Sequence, residues 1–318
     1  MFFVKINVVN LSPLEYPTKG GKVMATAPVK RTLKDYDSHK PTWCPGCGDY
    51  AVLLALKKAL LNLNLDPSEV VVVSGIGCSG KISDYIKAYG YHGIHGRVLP
   101  TATAVKLANP KLTVIAAGGD GDGYAIGGNH FLHVCRRNPD ITYIVMDNMI
   151  YGLTKGQTSP TSLRGFKTGT TPYGAVEGNI EPVYIALVMG ATFVARGFSG
   201  DPKTLEKIFT EAIKHKGFSF VDVYSPCVTF NRFNTYDWFK ANSVTIEGPL
   251  PTRAEAVSKV MEVWEAGKVP LGIFYKEEGN PSYDEQLVRD INLAPAVQDI
   301  TDKVWKEKVR RIIEENFI

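Results

Sequence analysis

Cysteines and carboxylates mark where chemistry could happen in this sequence. Trp43-Cys44-Pro45-Gly46-Cys47-Gly48 is a CxxC knuckle, a spacing that lets two thiolates grip one metal centre. Zinc ribbons also begin CPxCG, but they supply a second CxxC pair about 15–20 residues on. No second pair exists here. The other candidates are single: Cys78 in Gly77-Cys78-Ser79-Gly80 and Cys227 in Ser225-Pro226-Cys227. Cys135 sits inside a helical stretch, a packing position rather than a ligating one. Five cysteines are an odd number, which argues against a disulfide framework. Four convergent thiolates can hold an iron–sulfur cluster. On spacing alone, structural zinc and packed thiols stay open.

The second constellation is Gly118-Gly119-Asp120-Gly121-Asp122-Gly123, between an apolar run and a helical stretch. Glycines let backbone approach a phosphate closely, and the following helix offers free N–H groups to an anion. Asp120 would repel that phosphate unless Mg²⁺ lay between them. Mg²⁺ takes one or two protein oxygens together with phosphate oxygens and water. The next apolar run ends Met146-Asp147-Asn148, which places Asn148, 28 residues after Asp120, as a second ligand. Ordinary βα turns rich in Gly, Asp and Asn read much the same way.

The surrounding elements decide whether these groups meet. Apolar, β-rich runs at 70–73, 112–117, 141–146, 192–196 and 218–223 predict strands. Helical patterns cover 50–63, 124–136, 182–189 and 202–216, the last with Asp201 as cap, Pro202 at its first position and Gly217 at its end. Such alternation predicts an α/β fold, a mostly parallel sheet with helices on both faces. Ligands of such sheets gather beyond the carboxyl ends of the strands. Cys78, Asp120, Asn148 and Cys227 all follow strands and so belong at that edge.

Residues 228–250 read as an irregular, aromatic-rich connection. Thr252 to Glu255 reads as a capping box opening a helix, and 271–275 as a strand. A last helix carries Val304, Trp305, Val309, Ile312 and Ile313 on one face. The expected organisation is one domain over 24–228, followed by a C-terminal extension and tail, 229–318, that contacts a partner. Residues 1–23 are coil-like, read as an upstream extension, and Met24 could be the true start.

Composition bounds the function. At 318 residues the chain can form one large domain or two ordinary ones. A net charge of +4, evenly spread, gives no footprint for nucleic acid. No apolar run reaches the ~20 residues that cross a bilayer, and the start is a poor signal peptide. No membrane role is expected, and the location expected is cytoplasmic.

Taken in order, CPGCG, GIGCSG, YHGIHGR, GDGD and YGLTKGQTSPT are more specific than any one of them. Over roughly residues 30–290 the chain resembles the beta subunit of 2-oxoacid:ferredoxin oxidoreductases. Gly119-Asp120-Gly121 followed by Asn148 is similar to the thiamine diphosphate motif. That resemblance implies the thiamine diphosphate-binding fold, with a diphosphate-type domain. It implies Mg²⁺ on Asp120, Asn148 and the carbonyl of Ile150. Thiamine diphosphate would lie against Ile76, Gly77, Cys78, Ser79, His95, Gly119, Gly121, Tyr151, Gly152, Leu153 and Thr154. Cys44, Cys47, Cys78 and Cys227 would hold a single [4Fe–4S] cluster.

The implied reaction is coenzyme A-dependent oxidative decarboxylation of 2-oxoacids, pyruvate or 2-oxoglutarate, to acyl-CoA and CO₂, with electrons passed to ferredoxin. His95 would stand near the reacting carbon and Lys155 would meet a carboxylate or coenzyme A. His92, His130 and His133 read as structural. Lys81, Leu153 and Lys155 would set specificity. Relatives restricted to pyruvate tend to carry a small residue at the position of Lys155, so Lys155 points to 2-oxoglutarate or broad use. The glutamate that activates the cofactor would come from a larger alpha (or fused gamma–alpha) subunit with the pyrimidine-binding domain, in an αβ or (αβ)₂ assembly. Two other classes remain: a non-redox thiamine decarboxylase or carboligase component with structural zinc, and an electron-transfer module without catalysis.

Overall fold

The structure, a computed structural model, describes residues 30–291 together with 310 and 311. Its strands are Val70–Ser74 (β1), Tyr89–His92 (β2), Thr113–Gly119 (β3), Thr142–Asp147 (β4), Phe193–Phe198 (β5), Ser219–Tyr224 (β6), Ser243–Thr245 (β7) and Val269–Lys276 (β8). They form one sheet in the order β2-β1-β3-β4-β6-β5-β8-β7. Strands β1 to β6 pair in parallel, β8 runs antiparallel to β5, and β7 pairs in parallel with β8.

Alternation along the strands builds two cores. Val71, Val73, Val114, Ala116, Tyr143 and Val145 pack toward the helices Val98–Ala108, Gly128–Arg137, Pro182–Val188 and Arg253–Glu265. Val70, Val72, Ile115, Ala117, Ile144 and Met146 pack toward Asp49–Asn62 and Pro202–Lys214. Strands buried on both faces are largely apolar, which is why the sequence shows near-continuous runs there, with the paired Arg196 of β5 and Asp222 of β6 as buried exceptions. Each buried valine, isoleucine or methionine in these runs contributes roughly 1.5–3 kcal/mol by leaving water, and each alanine less. The expected α/β architecture is the observed one.

Several elements differ from the sequence reading. The strand β3 runs through Gly119, and Asp120 opens a π-helical turn, Gly121–Ile126, with no intervening loop. Gly127 N–H reaches back 3.1 Å to the Asp122 carbonyl, closing that wide turn. The single helix expected over 124–136 is therefore two segments. The helix Val98–Ala108 and strand β2 have no counterpart in the sequence reading. That helix carries Pro100 and two threonines, Thr101 and Thr103, whose hydroxyls bond to the carbonyls of Arg97 and Leu99 at 2.9 and 2.8 Å, a composition that weakens any helical signal. The stretch 228–250 is not wholly irregular. Thr235 caps a helix there, Tyr236–Asn242, which leads directly into β7.

The helix expected from Pro202 is capped by Asp201, which accepts from Thr204 N–H at 3.1 Å, and it ends at Lys214. Thr252 accepts from Glu255 N–H at 3.2 Å as the capping pattern requires. Residues 1–23 lie outside the described residues, as does the expected last helix except for positions 310 and 311. Among the described residues no helix is long and apolar enough to cross a membrane.

Candidate active site

The carboxyl ends of β1, β3, β4 and β6 bring four chain segments to one edge. Asp120 is buried there, and Thr161 Oγ1 lies 2.7 Å from Asp120 Oδ2 and 2.8 Å from Asp147 Oδ1. A hydroxyl carries one proton and can donate to only one of the two at a time. Burial pushes Asp120 up to about 6, and burial with the nearby Asp120 and Asp222 charges holds Asp147 well above the usual carboxylate range. Asp147 Oδ2 has no hydrogen-bond partner. A divalent cation on Asp120 would offset this unfavourable burial of negative charge. The donor set therefore fits Mg²⁺.

The loop after β4 is rigidly shaped. Met149 adopts a left-handed conformation, φ 56°, which is unfavourable for a residue with a Cβ. Three side chains fix it. Asp147 Oδ1 accepts from Met149 N–H at 3.0 Å, Ser162 Oγ donates to the Met149 carbonyl at 2.7 Å, and Asn231 Nδ2 donates to the Asn148 carbonyl at 3.1 Å. Asn148 Oδ1 accepts from Ile150 N–H at 3.1 Å. Tyr151 OH then donates to the Gly121 carbonyl at 3.2 Å, linking this loop to the π turn. A Cβ on Gly121 would sit 2.0 Å from the Tyr151 ring, so only glycine allows that approach.

Asp122 is a buried tie between site segments that sequence reasoning misses. Its Oδ1 accepts from Ile76 N–H at 3.2 Å and Gly96 N–H at 2.7 Å, joining the turn after β1 to the loop after β2. His95 Nδ1 lies 3.0 Å from the same oxygen, with no hydrogen bond between the two. Burial raises the Asp122 carboxyl, and the two backbone donors oppose that. The only sequence signal is the doubled Gly-Asp in Gly119 to Asp122. Thr161, Asp147 and Asn231 escape it too, being common residue types in stretches without a metal-ligand spacing.

The cysteine segments are tied together by hydrogen bonds. Trp43 Nε1 donates to the Cys78 carbonyl at 2.6 Å, Gly48 N–H to the Pro226 carbonyl at 3.3 Å, and Ser225 Oγ to Asp49 Oδ1 at 2.6 Å. The point where Gly152 would carry a Cβ lies 3.5 Å from Cys227 Sγ, 3.9 Å from Cys78 Sγ and 3.9 Å from Asn148 Nδ2. Burial, with Asp49 next, pushes the Cys78 thiol up to about 11 and Cys47 further still. Iron would reverse this, since a metal demands thiolates. Cys44 is exposed and Cys135 wholly buried. Among the described residues no three His, Cys, Asp or Glu side chains close on a common metal-binding point. The thiols are neighbours rather than a finished cage.

Other expected residues take varied positions. Leu153 and Lys155 are exposed in a turn that Tyr151 and Gln157 close, with Lys155 at φ 76°. Lys81 Nζ reaches Thr42 Oγ1 at 3.4 Å, beside the cysteine knuckle. Ser79 is buried, and Ile76, Ile94 and Ile126 expose apolar surface. His130 Nε2 lies 3.0 Å from Arg97 Nη1 and His133 accepts from Arg136 at 3.2 Å. Below the site, the wholly buried Arg196 joins Glu181 and Asp222, and Tyr124 OH donates to Asp222 at 2.6 Å.

Comparison with known proteins decides the family. The family described as thiamine pyrophosphate enzyme, C-terminal TPP binding domain, matches residues 75–223. The family described as the C terminal of the pyruvate ferredoxin oxidoreductase beta subunit matches 227–289. A 2-oxoacid:ferredoxin oxidoreductase subunit beta of a Sulfolobus species is 42% identical over 273 residues, covering 81% of this chain and 88% of the relative. The chain belongs to the beta subunits of 2-oxoacid:ferredoxin oxidoreductases. This beta subunit is also 44% identical to the subunit of the same name from Saccharolobus solfataricus over 260 residues, 77% of this chain and 85% of that one. Among solved structures it matches a 2-oxoglutarate:ferredoxin oxidoreductase from Magnetococcus marinus with 2-oxoglutarate, coenzyme A and succinyl-CoA bound. The TM-score is 0.80 at 37% identity, over 89% of this chain and 96% of that chain.

Proposed function

We propose that this beta subunit supplies the diphosphate half of a thiamine-dependent active site together with the electron outlet. A larger alpha (or fused gamma–alpha) subunit fills in the rest of the site, and the complex converts a 2-oxoacid and coenzyme A to acyl-CoA and CO₂ while reducing ferredoxin in the cytoplasm. The observation that carries this reading is the adjacency of Cys78 and Cys227 to Asn148 around Gly152. A decarboxylating centre and an electron acceptor must lie close together, and these residues do.

Bound thiamine diphosphate supplies an electron sink for loss of CO₂, and the cluster carries the electrons away singly. The protein's own groups place and neutralise. Asp120, the Asn148 side chain and the Ile150 carbonyl hold Mg²⁺. The segments Ile76-Gly77-Cys78-Ser79, Gly119 to Gly121 and Tyr151 to Thr154 surround the cofactor. Cys44, Cys47, Cys78 and Cys227 hold the [4Fe–4S] cluster. His95, braced by Asp122, positions a polar nitrogen at the mouth of the site, and Lys155 receives the distal carboxylate of 2-oxoglutarate, with Leu153 and Lys81 shaping the same choice. The exposed isoleucines near His95 and the segment after residue 228 are surfaces for the partner.

The test is turnover of the complex. Acyl-CoA should form from 2-oxoglutarate only when a ferredoxin is present to be reduced, and Asp120→Ala should abolish both. Aldehyde or carboligation product without reduced acceptor would instead support the thiamine component with structural zinc.

A further inference from the structure

Asn231 touches both halves of the proposed site. It is 1% exposed, in the segment that leaves Cys227. Its N–H donates to the Cys227 carbonyl at 3.1 Å, so its position follows that of the cysteine. Its Nδ2 donates to the Asn148 carbonyl at 3.1 Å and to Asn234 Oδ1 at 3.2 Å. Its Oδ1 accepts from Phe233 N–H at 3.2 Å and Asn234 N–H at 2.9 Å. With its amide fully engaged, the side chain has one orientation. The carbonyl it holds begins the left-handed turn at Met149, which needs outside support to persist.

We infer that Asn231 is a positioning residue through which cluster occupancy controls cofactor affinity. When Cys227 ligates iron, its segment is pinned and Asn231 is held against the Asn148 carbonyl. The turn bearing Asn148 and Ile150 is then already shaped for Mg²⁺, and less order is lost on binding. Without iron the Cys227 segment gains freedom, the turn relaxes, and Mg²⁺–thiamine diphosphate binds more weakly. Linkage requires the reverse as well: bound cofactor tightens retention of the cluster. The coupling rests on the metal and cluster assignment proposed above.

The experiment uses the complex of this subunit with its partner, as isolated and after iron removal by chelator under reducing conditions. Affinity for Mg²⁺–thiamine diphosphate is measured in both. Wild type should lose about tenfold in affinity on iron removal, within the usual range of coupling. Asn231→Asp keeps the acceptor for Phe233 and Asn234 but removes the amide donor. Its affinity should be low already and nearly indifferent to iron. Ser162→Ala loosens the same turn from the other side, so it should weaken binding yet keep the iron dependence. Backbone hydrogen exchange over 147–152 in the wild-type complex gives a reading that needs no variant, and it should speed up when iron is removed. Equal wild-type affinity with and without iron, or a full iron dependence in Asn231→Asp, would overturn the inference. So would unchanged exchange over 147–152. A complex isolated without iron, or without Mg²⁺-dependent thiamine binding, would instead overturn the proposed function, and that is read before any coupling.

Discussion

Asp120 and Asp147 share the hydroxyl of Thr161, at 2.7 and 2.8 Å, with both carboxylates buried. Two buried acids around one proton donor would be relieved by the Mg²⁺ proposed at Asp120, whose direction Thr161 helps to set. Thr161→Val keeps the shape and removes the hydroxyl. Mg²⁺-dependent thiamine diphosphate binding should weaken by about 10–100-fold, the usual effect of losing a group that orients a metal ligand. Calorimetric titration of the complex measures it, and an unchanged affinity would show that Asp120 is oriented by something else.

The buried ion network below the site is a stability device with a different signature. Arg196 is fully buried between Glu181 and Asp222. Arg196→Met would strand two carboxylates, costing about 3–5 kcal/mol. Urea unfolding should show this as a lower midpoint with little change in slope. A loss under about 1 kcal/mol would mean that the acids are neutralised by protons.

His215 should make the fold acid-sensitive. It is buried with Nε2 2.8 Å from Thr192 Oγ1, and burial with the nearby Lys276 charge lowers it from 6.5 to about 4. The unfolded chain therefore takes up a proton that the folded chain refuses. Stability from this group is full above pH 6.5 and is lost as pH falls toward 4. Thermal unfolding from pH 7.5 down to pH 5, about the window of that titration, should fall more steeply in wild type than in His215→Gln. Parallel curves would remove His215 as the cause.

Substrate choice is expected to follow the turn that carries Lys155. Its positive φ strains any residue with a Cβ, so glycine is the substitution that changes charge without adding strain. Lys155→Gly should lower kcat/KM for 2-oxoglutarate by about tenfold relative to pyruvate, the loss of one charge-assisted contact. Competition between the two acids measures the ratio. An unchanged ratio would leave Lys155 as a solvated surface charge.

The sequence disclosed the sheet well because strands buried on both faces are mostly apolar, and the runs in β1, β3, β4 and β6 stand out even with Asp147 and Asp222 buried among them. It pointed to Asp120, Asn148 and the cysteines through the order of several motifs taken together, since a glycine turn or a CxxC pair alone has other uses, and the structure brings Cys78, Cys227 and Asn148 to one place around Gly152. The helix Val98–Ala108 stayed hidden behind Pro100 and its threonines, whose side chains compete with the backbone. Asp122, Thr161 and Asn231 stayed hidden for another reason. Their roles come from contacts of 26, 41 and 83 residues' separation, which no local pattern encodes. The π turn at Gly121 was also unreadable, because glycines between a strand and a helix ordinarily signal a loop.

The most direct test is the metal content and visible spectrum of the anaerobically purified complex. About four irons per beta subunit, with a broad absorption that bleaches when 2-oxoacid and coenzyme A are added, is the result expected. Stoichiometric zinc with no visible band would contradict the electron outlet at Cys44, Cys47, Cys78 and Cys227, while leaving the Asp120 site standing.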